Sequence, residues 1–209
     1  MNKQSEIQQA LEALQGTDAQ ARADAINTFV EHHYLAVVPQ LLELLPTVDP
    51  GTRFLIVKAL GKLIHEDSVP LLLQALRWND IWTRAAATQA LINIGTAQAI
   101  TGLVDALRDE NKAVRRAAAK AIGKIGVDEH SQYKSDILKG LSFALLDVDD
   151  GVRRFAAEAL GRVNAETMVA ELRAVLDDHN AEVRLAAFRA LAKIDSPEAR
   201  AAVRQWVKQ

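Results

Sequence analysis

The sequence contains no cysteine, so it can form no disulfide and perform no thiolate catalysis. An excess of one charge sign is missing too. The formal net charge is −2, which supplies no general electrostatic drive toward nucleic acid or an anionic membrane. No uninterrupted apolar run approaches the ~20 residues of a membrane span. The opening stretch MNKQSEIQQALEALQG is polar and amphipathic and has no apolar core of the secretory-leader kind. Together these absences predict a cytoplasmic protein with no nucleic-acid partner and no membrane insertion. Ten glycines and five prolines stand mostly at regularly spaced corners. No flexible linker or low-complexity segment therefore divides the chain, and a single domain over 1–209 is expected. No glycine-rich phosphate loop, nucleophile elbow or paired-carboxylate pocket stands out, so no catalytic residue is nominated.

What the sequence does have is a period. In NKAVRRAAAKAIGKIG (111–126), Asn111 precedes Arg115 by four, and Ala118, Ala121, Ile122 and Ile125 follow at helical spacing. That spacing draws one apolar stripe along a helix. The pattern recurs around Arg22, Arg53, Arg84, Arg153 and Arg184, at intervals of 31, 31, 31, 38 and 31 residues. A period near thirty is the mark of a solenoid, in which each repeat buries its apolar face against its neighbours.

With each arginine taken as position zero, position −4 holds Asp18, Asp49, Asp80, Asn111, Asp149 and Asn180. These are good N-caps, because a short side-chain oxygen accepts an orphan N–H at a helix start. Position +3 is small in five of six repeats and permits close helix approach. Positions +7 (Phe29, Leu60, Leu91, Ile122, Leu160, Leu191) and +10 (His32, Leu63, Ile94, Ile125, Val163, Ile194) form the expected buried stripe. Gly95 and Gly126 read as helix stops. A second helix follows, with Leu41, Leu72, Leu103, Leu141, Leu172 and Val203 in one row and Leu45, Leu76, Leu107, Leu145, Leu176 and Val207 in another. Pro39 and Pro70 stand near its start, where a missing N–H is harmless. Leu14 matches Leu45 in position, so residues 3–15 read as the second helix of a truncated first repeat. The expected fold is all-α: a right-handed α-solenoid of helical hairpins, one lone N-terminal helix plus six helix pairs. Seven extra residues fall within about 127–134. They read either as a loop extension, cheap in entropy, or as a functional edge.

The cap–Arg–Ala–Leu pattern, and above all VRRAAAKAIGKIG (114–126) and VRRFAAEALGRV (152–163), resembles HEAT repeats of the short bacterial kind. That kind is also found in E/F-type phycobilin lyases and related phycobilisome proteins. The resemblance implies a superhelix with second helices on its concave face. It also implies ladders between neighbouring repeats, carried here by Asp18, Asp49, Asp80 and Asp149 with Arg22, Arg53, Arg84, Arg115, Arg153 and Arg184. At Asn111 and Asn180 such a ladder would lose its charge-assisted bonds.

Departures from the rows mark candidate binding residues. Trp78 stands at position −6, in a row otherwise of Gly16, Thr47, Asp109, Asp147 and Asp178. Trp82 stands in a row of Gln20, Gly51, Ala113, Gly151 and Glu182. Both are expected at a partly exposed corner, sharing a face if the helix begins early enough, as contact anchors or as cover for a neighbouring repeat. On the second helices Leu42, Leu71, Leu73, Val104 and Phe143 give way later to residues such as Arg173 and Arg204. This predicts an apolar N-terminal groove and a basic C-terminal half. Of the histidines, only His65 with Glu66 resembles the pairs of di-iron HEAT-type hydroxylases, so no metal site is expected. His32 is expected half-buried and satisfied. The function predicted is a non-catalytic scaffold or chaperone binding a partner protein on its concave face and aromatic edge, without a cofactor. The alternative that the resemblance implies is an E/F-type phycobilin lyase subunit. It would transiently hold a linear tetrapyrrole and partner a phycobiliprotein or a second HEAT-repeat subunit.

Overall fold

The computed structural model describes residues 3–96, 98–125 and 132–208, and every regular element among them is helical. The lone helix is α1 (Lys3–Gln15). Six pairs follow: α2 (Ala19–Glu31) with α3 (Val38–Leu44), α4 (Pro50–Leu63) with α5 (Val69–Ala75), α6 (Ile81–Ile94) with α7 (Ala99–Ala106), α8 (Lys112–Ile125) with α9 (Lys134–Ala144), α10 (Asp150–Arg162) with α11 (Val169–Ala174), and α12 (Ala181–Lys193) with α13 (Pro197–Trp206). Within the span expected as one domain, two compact units form. Residues 1–96 hold α1–α6 and residues 97–209 hold α7–α13.

The caps start the helices as the sequence predicts. Asp18, Asp49, Asp80, Asp149 and Asn180 each accept backbone N–H groups of the first turn, and the Asn111 Oδ1 accepts from the Ala113 N–H at 2.8 Å. Pro39 and Pro70 lie in the first turns of α3 and α5. The +7 row is buried throughout, and so is the +3 row. In each unit the first helices stack side by side: α2, α4 and α6 in the first, α8, α10 and α12 in the second. The approach is close. A Cβ at Gly61 would lie 2.7 Å from the Ala90 Cα, and one at Gly161 would lie 2.6 Å from the Ala190 Cα. Only glycine fits those two places without moving backbone.

The +10 row departs from expectation at its start. His32 is exposed, not half-buried. It is the C-cap of α2, and at His33 the backbone turns into the left-handed region (φ 48°). That turn drives Tyr34 into the core instead, where its hydroxyl donates to Glu6 at 2.8 Å. Ile94 and Ile125, at the ends of their helices, are half-buried. In the second-helix rows Val203 is half-buried, and Val207 is 67% exposed because it lies one residue past α13. Gly95 ends α6 at φ 72°, as a helix stop should. Gly126 and most of the 127–134 insertion lie outside the described residues. Its end is described: Gln132 and Tyr133 form a turn into α9.

Candidate functional site

The anchoring arginines first brace their own corners. Arg22 donates to the Gly16 carbonyl at 3.0 Å, Arg53 to Val48 at 2.9 Å and Arg84 to Trp78 at 2.9 Å. Arg115 donates to Asp109 at 2.8 Å, Arg153 to Asp147 at 2.7 Å and Arg184 to Asp178 at 2.8 Å. Each satisfies carbonyls left over where the preceding second helix ends.

Between repeats, the residue that answers the arginine stands at −6 of the next repeat more often than at −4. In the second unit Arg115 forks onto Asp147 (2.6 and 2.9 Å) and Arg153 onto Asp178 (2.7 and 3.1 Å). Both carboxylates also accept a backbone N–H two residues on, from Asp149 and Asn180, at 2.8 Å. In the first unit the same slot holds Trp78, and the Arg53 guanidinium lies 4.7 Å over its ring. At −4, Asp49 lies 3.6 Å from Arg22, while Asp149 is forked by Arg116 at 2.5 and 2.7 Å. The Asn180 amide donates to Asp150 at 2.7 Å.

The cap carboxylates are acidified by different means in the two units. The Thr52 hydroxyl, with backbone N–H groups, holds Asp49 below the usual carboxylate range. At Asp80 burial pushes the other way but is outweighed by the Thr83 hydroxyl and by the Thr83 and Trp82 N–H groups. The Arg116 fork holds Asp149 low. Burial opposes acidity at Asp178 as well, and there the Arg153 fork and the Asn180 N–H win.

The two tryptophans do not share a helix face. Trp78 precedes the Asp80 N-cap and is half-buried beneath Arg53, whereas Trp82 lies in the first turn of α6 and is 69% exposed. Leu42, Leu71, Leu73 and Val104 are half-buried. Of the five residues that draw the expected groove, Phe143 alone is exposed, and it lies in the second unit. Phe143 on α9 is 53% exposed, and Leu146, just past it, is 82% exposed. In the second unit three adjoining hollows run along this face. Val104, Arg108 and Lys139 line the first, Lys139, Phe143, Leu146 and Met168 the next, and Ser142, Leu146, Glu171 and Val175 the third. The Arg108 guanidinium lies 5.4 Å over the Phe143 ring. The structure thus brings Val104 and Phe143 onto one face. Sequence reading missed Leu146, Arg108 and Glu171. Leu146 had a signal, since its row reads Gln15, Pro46, Arg77, Arg108, Asp177 and Lys208.

Among the described residues no three His, Asp or Glu side chains converge as metal ligands, and His65 instead faces Asp67 at 3.6 Å. No described helix is long and apolar enough to cross a membrane.

The HEAT-repeat profile matches residues 7–92, 69–141 and 138–209. A search of curated proteins finds no match. Among solved structures, an engineered protein aligns at 21% identity with a TM-score of 0.68, over 93% of this chain and 97% of its own. A designed armadillo repeat protein in complex with the peptide (KR)4 aligns at 19% and 0.68, over 90% and 99%. The complex of CpcE and CpcF of phycocyanin lyase from Nostoc sp. PCC7120 aligns at 19% and 0.61, over 97% and 94%. At these identities the likeness is one of fold.

Proposed function

The chain belongs to the HEAT-repeat family, and from that premise we propose that it is a non-catalytic scaffold or chaperone, working in the cytoplasm, that holds a partner protein on the second-helix face of residues 97–209. The observation that carries this reading is the exposure of Phe143 and Leu146 in rows that are polar or small elsewhere. The Phe143 row otherwise reads Glu12, Glu43, Gln74, Asp105, Ala174 and Gln205. Aromatic side chains beside an arginine are the usual anchors of protein interfaces, and adjoining exposed apolar residues mark contact surfaces. Trp82 offers a second, separate aromatic contact in the first unit. The test is a photo-crosslinking residue placed at 143. It should capture one discrete protein in cells that produce this chain, whereas the same group at the exposed Lys120 on α8 should not. Equal capture at both positions would overturn the assignment.

A second reading is an E/F-type phycobilin lyase subunit, with a linear tetrapyrrole as cargo and a second HEAT-repeat subunit or a phycobiliprotein as partner. The fold shared with the CpcE and CpcF complex across nearly the whole of both chains supports it. The absence of cysteine does not oppose it, since the acceptor would supply the thiol. Phycocyanobilin mixed with the protein should then change its visible absorbance, and an unchanged spectrum would remove this reading.

A further inference from the structure

The third hollow on the second-helix face contains a carboxylate that the fold does not use. Glu171, on α11, lines it and is half-buried. Its Oε2 is buried without a hydrogen-bond partner. An orphaned carboxylate oxygen is expensive, because desolvation is not offset by a donor. The neighbouring carboxylates are not in that position. Asp147 is held by Arg115 and Asp178 by Arg153, each through two hydrogen bonds. Within the hollow those two charges are therefore neutralised, and Glu171 is left as the uncompensated negative group. Its row, thirteen before the anchoring arginine, otherwise reads Gln9, Gln40, Leu71, Gly102, Gly140 and, in the last repeat, Ala202, so the repeat itself does not demand an acid there.

The walls narrow the choice of ligand. Leu145, Leu146, Ala174 and Val175 supply apolar surface beside the carboxylate. One free carboxylate is too small a donor set for a metal ion, and an anion would be repelled. A cation carried on an aliphatic stem satisfies both parts of the hollow. The stem packs on the apolar wall and the charged head meets the acid. A guanidinium can engage both oxygens once the soft terminal torsion of Glu171 turns. The hollow adjoins the exposed Phe143 and Leu146, so a chain that reaches Glu171 continues over them.

We infer that this hollow is a subsite for an arginine or lysine side chain of the partner, with an apolar partner residue next to it on Phe143 and Leu146. This rests on the proposed contact face and adds the chemistry of the segment that binds there.

The probe is a library of random twelve-residue peptides selected on the intact protein, on Glu171→Gln, and on a Phe143→Ala/Leu146→Ser double variant. Melting temperatures check that all three are folded. Glu171→Gln should melt at or above the wild-type temperature, since the Glu171 side-chain oxygen Oε2 has no hydrogen-bond partner in the fold and the substitution removes a desolvated charge. Peptides selected on wild type should be enriched in arginine or lysine beside an apolar residue. Glu171→Gln should lose the basic preference, keep the apolar one, and bind the best wild-type peptide on the order of tenfold more weakly, as expected when one charge-assisted hydrogen bond is removed. The double variant should select nothing above background. Free arginine at millimolar concentration should compete poorly, because it lacks the apolar neighbour; strong competition would make this a small-molecule site and overturn the peptide assignment. Selection on wild type without basic enrichment, or a basic preference that survives Glu171→Gln, overturns the subsite while leaving the contact face standing. Failure of wild type to select any peptide removes the face and the subsite together.

Discussion

The two compact units solve one problem with different chemistry. In both, the anchoring arginine caps the carbonyls of its own corner, and in both a +7 aliphatic or aromatic residue fills the core. The rung between repeats differs. Residues 97–209 use forked arginine–carboxylate pairs, Arg115–Asp147 and Arg153–Asp178. Residues 1–96 use the face of Trp78 under Arg53 and a long Arg22–Asp49 pair at 3.6 Å. The caps follow the same division, with Thr52 and Thr83 hydroxyls serving Asp49 and Asp80 in the first unit and Arg116 serving Asp149 in the second. The local duty of the arginine is thus fixed by the helix end it caps. Its outward duty is only to meet something that stabilises a cation, and a carboxylate or an indole ring both do so.

The largest expected effect is one that should not distinguish the units. Leu91 and Leu160 occupy the +7 row in α6 and α10 and are fully buried. Truncating either to alanine should cost about 2–5 kcal/mol, through lost transfer energy and the cavity left behind. Urea unfolding measures both. A loss under about 0.5 kcal/mol at either, the scale of surface changes, would break the idea that the core is shared and only the rungs differ.

Next in size is Asp178→Asn. Arg153 and Asp178 side chains are 7% and 10% exposed. Removing one charge of so buried a pair leaves the other uncompensated, at about 3 kcal/mol. The pH dependence sharpens the point. The folded-state acidity of Asp178 and Asp149 is greater than in the unfolded chain. Their contribution is therefore present above the unfolded value of about 4 and is lost as pH falls through the lower folded values. Stability followed from neutral pH downward should hold and then fall below about pH 4. Asp178→Asn, weaker at neutrality, should fall less steeply there. Equal slopes would remove Asp178 from the acid response.

How much of this was legible beforehand varies by kind of information. The caps, the arginine row, the +7 row and the helix count repeat at fixed spacing, so one chain supplies six readings of each position, and these match the structure; the +10 row and the second-helix rows match it only in part, with His32 and Val207 exposed. The Trp78 row was also visible as a row. Its meaning was not, because the arginine it answers lies 25 residues earlier and one repeat away, and a period reports position but not side-chain reach. His32 failed for a different reason: the left-handed turn at His33 carries no side-chain signal that helical spacing can register. Phe143 and Leu146 stood out as hydrophobics in polar rows, and only the first was recognised. Glu171 gave no warning at all, since a glutamate in a first turn is ordinary and only the packing around it makes its oxygen an orphan.

The smallest effect tests the comparison most directly. If Trp78 stands in for the aspartate of the later rungs, Arg53 and Trp78 must be energetically coupled. Arg53→Met and Trp78→Ala, singly and together, define a double-mutant cycle, and Arg153→Met with Asp178→Asn defines the matching cycle in the other unit. A cation over an aromatic face at a half-exposed site is worth about 1 kcal/mol, whereas the buried fork is a charge pair with two hydrogen bonds and should couple more strongly. Trp82→Ala is the internal control. Trp82 is 69% exposed, so its loss should move stability by no more than about 0.5 kcal/mol. A coupling near zero for Arg53 and Trp78 would make the indole ring a packing residue alone, and the correspondence between the two kinds of rung would fail. A coupling as large as that of Arg153 and Asp178 would show that the aromatic rung is no weaker substitute, and that the two units differ in chemistry without differing in strength.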